Sequence, residues 1–275
     1  MKVNIDEQVV DGFGDEWSRF DQSELTATEL TETFDAYFDI FPWETINADA
    51  VGFDAGCGSG RWARLVAPRV GKLHLIDPSE KALAVAKRNL RDAKNCDFHL
   101  AGVGEIPLPD NSCDFGYSLG VLHHIPDTEA GMRACIEKLR PGAPFLVYLY
   151  YRFDNRPAWF RLLYQVSNLV RKVISHMPHS LRYLISQIIA ATIYFPLARI
   201  AWGLEKLGLK AESFPLWYYR NRSFYFMRTD ALDRFGTRLE KRFTKAEIRE
   251  MMENCGLENI VFNDTQFWTA VGTKK

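Results

Sequence analysis

Two aspartates and three closely spaced glycines are the residues of this chain that point most directly to chemistry. The segment VGFDAGCGSGR, which begins at residue 51, predicts a strand that runs into a glycine-rich turn, with Asp54 near the strand end and Gly56, Gly58 and Gly60 in the turn. Glycine allows a sharp turn and a close approach of a ligand to the main chain. Asp77 ends the next predicted strand, 21 residues after Gly56. A carboxylate there can accept hydrogen bonds from both hydroxyls of a ribose, so the pattern predicts a nucleoside site.

The glycine spacing separates two classes of nucleoside cofactor. The dinucleotide fingerprint places its third glycine three positions after the second, whereas this chain has the spacing GxGxG. Asp54 is suited to an ammonium group, which S-adenosylmethionine (SAM) has and a dinucleotide pyrophosphate lacks. The pattern therefore favours SAM, and a nucleotide-dependent oxidoreductase is the disfavoured alternative.

Alternating strands and helices over residues 51–151 are expected to position these groups. This alternation is typical of a parallel sheet flanked by helices. The predicted strands are Val51–Asp54, Leu73–Asp77, Asp97–Gly102, Cys113–Gly120 and Ala143–Tyr151. The predicted helices are Arg61–Arg69, Ser79–Asp92 and Thr128–Leu139, with Ser79 and Thr128 as N-caps. Farther along, the predicted elements are a helix over Lys245–Cys255 ended by Gly256 and a hairpin of Asn259–Asn263 with Phe267–Thr273.

Four segments of the chain resemble consecutive motifs of one enzyme family. They are FDAGCGSGRW, LIDPSE, IPLPDNSCDFGYSLGVLHHIPD and LRPGAPFLV. Together they resemble the class I SAM-dependent methyltransferases, and most closely the small-molecule branch that includes the quinone-biosynthesis methyltransferases. The resemblance covers residues 50–151 and resumes at 244–275, where the closing hairpin matches the reversed last strand of that fold.

The resemblance implies a role for each residue of the glycine turn and its flanks. Asp54, Gly56 and Gly58 would hold the methionine part of SAM, Asp77 would hold the ribose, and Pro78 would border the adenine. Gly60 is a further predicted cofactor-binding residue of the turn. We therefore expect SAM as the cofactor and S-adenosylhomocysteine as the product.

The chain departs from the family pattern at Gly102, the last residue of the third predicted strand. Many relatives carry an aspartate that meets the adenine amino group where this chain has Gly102. Adenine recognition is therefore expected from the backbone of Val103 and Gly104. Leu119 and Gly120, at the end of the fourth strand, would pass beneath the cofactor.

A histidine doublet follows the fourth strand, at the edge of the sheet where open α/β folds place their ligands. A histidine near neutrality can take a proton from an acceptor hydroxyl, amine or thiol. His124 is the first candidate for a general base and His123 the second, while a purely structural role in shaping the cofactor pocket is the alternative. Tyr150 and Tyr151 at the end of the fifth strand are further pocket candidates.

The segment before residue 51 contains predicted helices. Trp17, Arg19 and Phe20 lie in a piece expected either to fold over the cofactor as a lid or to form a surface helix. A second helical piece, running through Phe34 to Phe41, is expected to cover the sheet with its aromatic side chains.

An insertion of about 90 residues separates the fifth and sixth strands, and we expect it to determine acceptor specificity. Residues 151–222 contain 11 Lys and Arg but 3 Asp and Glu, a net charge of about +8 against about −9 for the remainder. The insertion can form a cap on the sheet edge, a homodimer interface or a membrane-facing surface. Its first part has apolar residues at helical spacing: Trp159, Leu162, Leu163, Val166, Leu169, Val170, Val173 and Ile174.

A stretch without charge, Tyr183–Ala198, follows in the insertion. It is shorter than the ~20 residues of a membrane span, and Ser186, Gln187 and Pro196 weaken it further. We therefore predict no spanning helix here.

Composition excludes several classes of function. A net charge of −1 argues against a general nucleic-acid-binding surface. The five cysteines are scattered without metal-ligand spacing, which predicts reduced buried thiols and no metal site. The motifs of amino-methylating and cytosine-methylating nucleic-acid enzymes and of arginine methyltransferases are absent. The acidic first residues lack an apolar run, so we expect no signal peptide and a cytoplasmic protein, with peripheral membrane contact as an open alternative.

Together these features predict an α/β protein with a Rossmann-like, seven-stranded methyltransferase sheet and a helical insertion between strands five and six. The expected segments are an N-terminal lid (1–50), the cofactor-binding core (51–151), the insertion as acceptor cap (152–243) and the completing helix and hairpin (244–275). The predicted function is SAM-dependent methyl transfer to a small-molecule or lipid-like acceptor by in-line displacement. A catalytically inactive scaffold or regulator with the same fold is the alternative.

Overall fold

A mixed sheet of seven strands forms the centre of the structure. The computed structural model describes residues 4–153, 157–264 and 268–275. The strand order is β3-β2-β1-β4-β5-β7-β6, with β7 antiparallel to both of its neighbours and all other pairs parallel. The predicted sheet and closing hairpin are confirmed, although Phe267, the predicted start of the last strand, lies outside the described residues. The strands are β1 Val51–Ala55, β2 Lys72–Asp77, β3 Cys96–Leu100, β4 Phe115–Leu119, β5 Pro144–Tyr148, β6 Leu257–Phe262 and β7 Thr269–Lys274.

The chain divides into two compact units. The core unit, which contains the sheet, consists of Met1–Asp21, Leu30–Arg156 and Leu239–Lys275. The helical unit consists of Gln22–Glu29 and Pro157–Arg238. The segment Gln22–Glu29 joins the helical unit through the Gln22 N–H, which donates to the Tyr225 hydroxyl at 2.9 Å, and through Glu29, which accepts from the Ser223 N–H at 2.6 Å.

The α-helices of the described residues are α1 Glu7–Arg19, α2 Ala27–Phe38, α3 Ala63–Val66, α4 Glu80–Asn89, α5 Thr128–Glu137, α6 Ala158–Ile174, α7 His179–Ile189, α8 Phe195–Lys206, α9 Phe224–Gly236 and α10 Lys245–Asn254. In the core unit, α3, α4 and α5 connect parallel strands in the order expected for crossovers. Ser79 caps α4 as predicted, with its hydroxyl accepting from the Ala82 N–H at 3.3 Å. The prediction that Thr128 caps α5 is wrong. The Asp127 carboxylate accepts from the Ala130 N–H at 2.9 Å, and Thr128 is the first helical residue.

Several predicted elements are longer than the observed ones. The helix predicted from Arg61 begins at Ala63 and turns into a 3-10 turn over Ala67–Arg69, where Pro68 cannot continue the α-helical hydrogen bonding. β4 begins at Phe115 because Cys113 makes only an isolated bridge to Leu139. β5 ends at Tyr148, so Tyr150 and Tyr151 lie in the connection that leaves the sheet.

The helical unit is built from α6 to α9. A five-residue π-helical segment, Ala190–Tyr194, joins α7 to α8, and together they form one continuous helix of 28 residues, His179–Lys206. The prediction that this region is too short for a membrane span is therefore wrong in length, because helical residues flank the uncharged stretch on both sides. By length and composition the helix could cross a membrane, although 33% of its most apolar stretch is buried within the protein.

The core beneath the sheet is rich in aromatic side chains. Phe34, Phe38 and Phe41 are buried, as predicted for a segment that covers the sheet. The Phe38 ring lies 5.4 Å from the ring of Tyr117, and the Phe41 ring 6.0 Å from that of Phe115. These contacts fix β4 against the preceding segment.

Two glycine–phenylalanine pairs hold β1 against β4. In the strand register Gly52 is opposite Phe115 and Phe53 is opposite Gly116. A Cβ at Gly52 would overlap the Phe115 ring, and a Cβ at Gly116 would overlap the Phe53 ring. Both rings are fully buried, so each ring occupies the space left by the glycine of the neighbouring strand.

We expect Gly116→Ala to destabilise the protein by ~1–3 kcal/mol, because the added methyl group must displace the buried Phe53 ring. Urea denaturation followed by circular dichroism measures the change. Gly203→Ala is the control, since nothing lies within 4 Å of a Cβ built at this helical position, and alanine there should stabilise α8 by up to ~1 kcal/mol. Equal stability of wild type and Gly116→Ala would contradict the packing argument.

Candidate active site

The glycine turn after β1 has the conformation that its sequence predicts. Gly56, Gly58 and Gly60 all have positive φ angles, of 82°, 53° and 73°, a region that other residues enter only with strain. The Gly56 N–H donates to the Ile76 carbonyl at 2.7 Å, which ties the turn to the end of β2. A Cβ at Gly58 would lie 2.9 Å from Nε1 of Trp17. The turn therefore requires glycine both for its backbone and for the ring that packs on it.

Asp77 is held in one orientation at the end of β2. Its two carboxylate oxygens accept from the Gly58 N–H at 2.9 Å and from the Ser79 N–H at 2.8 Å. Burial raises the pKa of Asp77 to about 6, although the two N–H donors act in the opposite direction. The carboxylate thus connects the glycine turn to the first turn of α4 and borders both.

Asp54 is a deeply buried carboxylate near the end of β1. It is 1% exposed, and its Oδ2 has no hydrogen-bond partner among the residues that the structure describes. Burial raises the pKa of Asp54 to about 8, and the charge of Asp77 acts in the same direction, while Tyr117 and Arg61 nearby act against it. A buried carboxylate of this kind is costly unless a cation pairs with it. An ammonium group bound beside the glycine turn would provide that cation.

The first helix lies over the glycine turn, where the predicted lid would be. Besides Trp17 on Gly58, the Asp11 carboxylate of α1 pairs with the Lys81 ammonium of α4 at 3.0 Å. The Phe13 ring lies 5.0 Å from the His124 ring. One helix thus contacts the turn, the start of α4 and the histidine doublet, and it shields all three from water.

The loop after β3 contains the predicted adenine contacts. Val103 is 3% exposed, and Gly102 and Gly104 lie beneath Ile5 and Asn4 of the N-terminal segment. The Asn4 amide exchanges hydrogen bonds of 2.7 and 2.8 Å with the backbone of Asp127. Pro78, after β2, is partly exposed. The roles of Pro78, Val103 and Gly104 remain predictions.

The end of β4 leaves space for a ligand. Leu119 is buried, and Gly120 follows it with a φ of 80°. Nothing lies within 4 Å of a Cβ built at Gly120. Its N–H donates to the Tyr148 carbonyl at 3.1 Å, which holds this open position at the carboxyl edge of the sheet.

The two histidines have different surroundings. His123 is fully buried, its ring stacks 3.9 Å from that of Tyr150, and neither ring nitrogen has a hydrogen-bond partner within the described part of the chain. Burial, His124 and Arg242 hold the pKa of His123 well below its usual value. His123 is therefore a neutral imidazole and a weak proton acceptor at physiological pH.

His124 is fixed in one tautomer by the backbone. Its Nδ1 lies 2.7 Å from the Leu239 carbonyl oxygen. A carbonyl can only accept, so Nδ1 must carry a proton, and in the neutral ring the lone pair is on Nε2. This is the arrangement that a general base needs, and it favours His124 over His123.

Sequence reasoning missed the segment 239–243, which packs beside the histidines. The Lys241 N–H donates to the His123 carbonyl at 3.0 Å, and the Arg242 guanidinium lies 5.0 Å from the centre of the Tyr150 ring. The Glu240 side chain is 1% exposed and pairs with Arg242 at 2.8 Å. The charged sequence of segment 239–243, LEKRF, resembles an ordinary exposed connection, so no local signal indicates that it packs beside the histidines.

One group of metal-type side chains lies outside this site in the described part of the chain, on β2 and β3: His74, Asp97 and His99. The two imidazoles share a hydrogen bond of 3.0 Å between His74 Nδ1 and His99 Nε2. The Asp97 carboxylate pairs with the Lys72 ammonium at 2.7 Å. These contacts account for the group by interactions within the protein.

Comparisons with known proteins agree with this geometry. Residues 53–147 match the family model described as a methyltransferase domain. A phosphoethanolamine N-methyltransferase 2 of Caenorhabditis elegans is 34% identical over 100 residues, which are 35% of this chain and 23% of that protein. A ubiquinone biosynthesis O-methyltransferase of Aromatoleum aromaticum is 31% identical over 123 residues, 42% of this chain and 53% of that protein. The chain thus spans about a quarter and about half of the lengths of these relatives.

A solved structure shares the fold over nearly the whole chain. Magnesium protoporphyrin IX methyltransferase from Synechocystis PCC 6803, with bound S-adenosylhomocysteine, aligns with a TM-score of 0.58 at 14% identity and covers 98% of this chain and 100% of its own. The sheet of the core unit is therefore the Rossmann-like methyltransferase fold. Residues 53–147 thus match a methyltransferase domain and are similar to domains of the quinone-biosynthesis methyltransferases.

Proposed function

We propose that this protein transfers a methyl group from SAM to a small-molecule or lipid-like acceptor by in-line displacement. The observation that carries the proposal is Asp54, a buried carboxylate whose Oδ2 has no hydrogen-bond partner in the described structure. It lies near the end of β1, directly before a turn of three glycines with positive φ. SAM brings an ammonium group for this carboxylate and a ribose for Asp77. When bound, it supplies an electrophilic methyl group on a sulfonium.

The side chains of the core unit bind and orient the reactants. Asp54 pairs with the ammonium of the cofactor, and Asp77, already held by two N–H donors, uses its remaining lone pairs for the ribose hydroxyls. The open position at Gly120 provides space beneath the cofactor. Because displacement at a methyl group needs alignment and desolvation, the main contribution of α1 and Trp17 is to exclude water.

His124 is our candidate for the group that accepts the proton of the acceptor. A hydroxyl, amine or thiol that attacks the methyl carbon loses its proton, and the Nε2 lone pair of His124 can take it while Nδ1 stays bonded to the Leu239 carbonyl. His123, which is deeply buried and weakly basic, is better suited to supporting the His124 and Tyr150 rings.

We expect Asp54→Asn and Asp77→Asn each to weaken SAM binding by about tenfold to a hundredfold, since a hydrogen bond to a charged group contributes ~1.5–3 kcal/mol. Isothermal calorimetry with SAM and S-adenosylhomocysteine measures the affinity. Asp92→Asn, at a side chain that is 94% exposed, is the matched control and should bind like wild type. Wild-type protein that ignores SAM or prefers NAD would refute the assignment.

SAM binding should release a proton and strengthen as the pH rises from 6 to 7.5. The pKa of Asp54 is about 8 without a ligand, so the carboxyl is mostly protonated at pH 6 and must ionise to pair with the ammonium. Affinity then increases with pH until the ligand amine itself deprotonates, near its ordinary pKa of ~8. Calorimetry at pH 6.5 in two buffers of different ionisation enthalpy counts the protons. Asp54→Asn should remove most of this release, and an unchanged count would contradict the role of Asp54.

The role of His124 is tested once an acceptor is found by screening metabolite and lipid extracts with methyl-labelled SAM. His124→Asn keeps an N–H donor near the Leu239 carbonyl but has no basic nitrogen, so turnover should fall by about a hundredfold or more while SAM affinity stays near wild type. Unchanged turnover would show that no base is needed at this position. A parallel loss of SAM affinity would assign His124 to the cofactor pocket instead. SAM binding without methylation of any extract would favour the inactive scaffold.

A further inference from the structure

The large apolar side chains of α6 face away from the protein. Seven of them are between 44% and 63% exposed, and their i, i+3, i+4 spacing places them on one side of the helix. We call this side the outer face of α6. Its members are Trp159, Leu162, Leu163, Val166, Leu169, Val170 and Val173. An exposed apolar stripe of this length marks an interaction site in a soluble protein.

The inner face of α6 is more polar than the outer one. Arg171 is only 5% exposed, and its guanidinium donates to the carbonyls of Thr237 and Arg238 at 2.6 and 3.1 Å, beyond the end of α9. Ser167 lies on the same inner side and accepts from Arg234 at 3.2 Å. The helix therefore packs through hydrogen bonds and directs its apolar residues outward, which is the reverse of an ordinary surface helix.

The long helix His179–Lys206 repeats this reversal. Arg182 and Ser186 are buried, and the Arg182 guanidinium donates to the Gly236 carbonyl at 2.8 Å. Small residues such as Ala190 and Ala198 pack with Met227 on the inner side. The exposed apolar residues of this helix are Leu181, Leu184, Ile188, Ile193, Phe195, Ile200 and Trp202.

The charge of these helices identifies the kind of partner. Residues 157–204 contain five Lys and Arg but no Asp or Glu, and of the five basic side chains Arg171 and Arg182 are buried. Arg161 and Lys172 are exposed on α6, where they flank its outer face. Over residues 157–238 the count is 12 basic and 4 acidic residues. An anionic partner is therefore favoured, and a second copy is disfavoured because pairing would bring two basic surfaces together.

The polar contacts of the helical unit oppose a spanning arrangement. α9 packs against the long helix, and its Arg228 donates to the Gln187 amide oxygen at 2.5 Å and to the Tyr183 hydroxyl at 2.9 Å. Asp230 of α9 accepts from Tyr219 at 2.9 Å. A helix that crossed the bilayer would have to leave these partners or carry them into hydrocarbon.

We propose that the outer faces of α6 and of the long helix bind the surface of an anionic membrane, with both helices lying in the plane of the interface. Apolar side chains enter the acyl boundary while Arg161 and Lys172 meet the lipid phosphates. Membrane binding does not depend on the proposed function. The consequence of membrane binding does depend on the proposed function, because an enzyme held at this surface takes a lipid-soluble acceptor from the bilayer.

Sedimentation of the full chain with phosphatidylcholine vesicles, and with vesicles that also contain phosphatidylglycerol, tests the proposal. Binding should favour the anionic vesicles and weaken with salt. The pair Val166→Glu and Leu169→Glu should abolish it, because both side chains are more than half exposed on the outer face. Val261→Glu, at a side chain that is 51% exposed on β6, is the matched control and should bind normally.

Charge-reversal substitutions measure the electrostatic contribution to vesicle binding. Arg161→Glu with Lys172→Glu should lower the affinity for anionic vesicles by about tenfold or more, whereas Arg91→Glu, at an 81% exposed side chain of the core unit, should have little effect. Arg171 is unsuited to this test because it is buried and hydrogen-bonded.

Four results would overturn the proposal. Wild-type protein can fail to bind either vesicle, or the outer-face variant can bind as well as wild type. Sedimentation equilibrium can show a dimer that the outer-face substitutions dissociate, in which case a second copy covers the face. Resistance to alkaline extraction would indicate a spanning helix. SAM affinity measured without vesicles should be the same in all these variants, so a failure of the proposed function would be seen separately.

Discussion

The candidate site of the core unit is built around two carboxylates that are buried at the ends of adjacent parallel strands. Asp54 and Asp77 are both less than 10% exposed, and burial raises the pKa of each, to about 8 and about 6. Such burial works against stability unless charges or N–H groups pair with the carboxylates. Asp77 obtains two N–H donors from the backbone, whereas Asp54 keeps an oxygen without a partner in the described structure. An ammonium group of a ligand would stabilise the ionised form of Asp54.

The surrounding elements are arranged around these two carboxylates. Positive φ angles shape the turn of three glycines, in which the Gly58 N–H donates to Asp77 and the missing Cβ of Gly58 leaves space for Trp17 of α1. At the other end of the site, β4 and β5 deliver Gly120 and Tyr150, and the segment 239–243 returns to orient His124. The cofactor end and the proton-accepting end of the site thus lie on one sheet edge, as expected for open α/β folds.

The helical unit uses buried polarity in a different way. Arg171 and Arg182 bind the last carbonyls of α9 and the residues after it, which have no partner in the helix itself. The Arg171 and Arg182 guanidinium groups both donate to these carbonyls, so the basic side chains can be buried while leucine, isoleucine and valine remain outside. These hydrogen bonds hold α6 and the long helix against the end of α9 without burying their apolar faces. The apolar faces therefore stay available to an outside partner.

The sequence by itself determined the elements and most of the core site. Alternation of apolar runs predicted all seven strands, and the spacing of Asp54, three glycines and Asp77 indicated the cofactor, because strand ends and turn glycines are local features. Only the tertiary structure decided which residues cap the helices and where the helices and strands end. For example, Asp127 caps α5 in place of Thr128. It also decided that segment 239–243 lies beside the histidines and that Arg171 is inside while Leu169 is outside. Periodicity shows that a helix has two faces, but which face is buried depends on partners distant in sequence, here the carbonyls after α9.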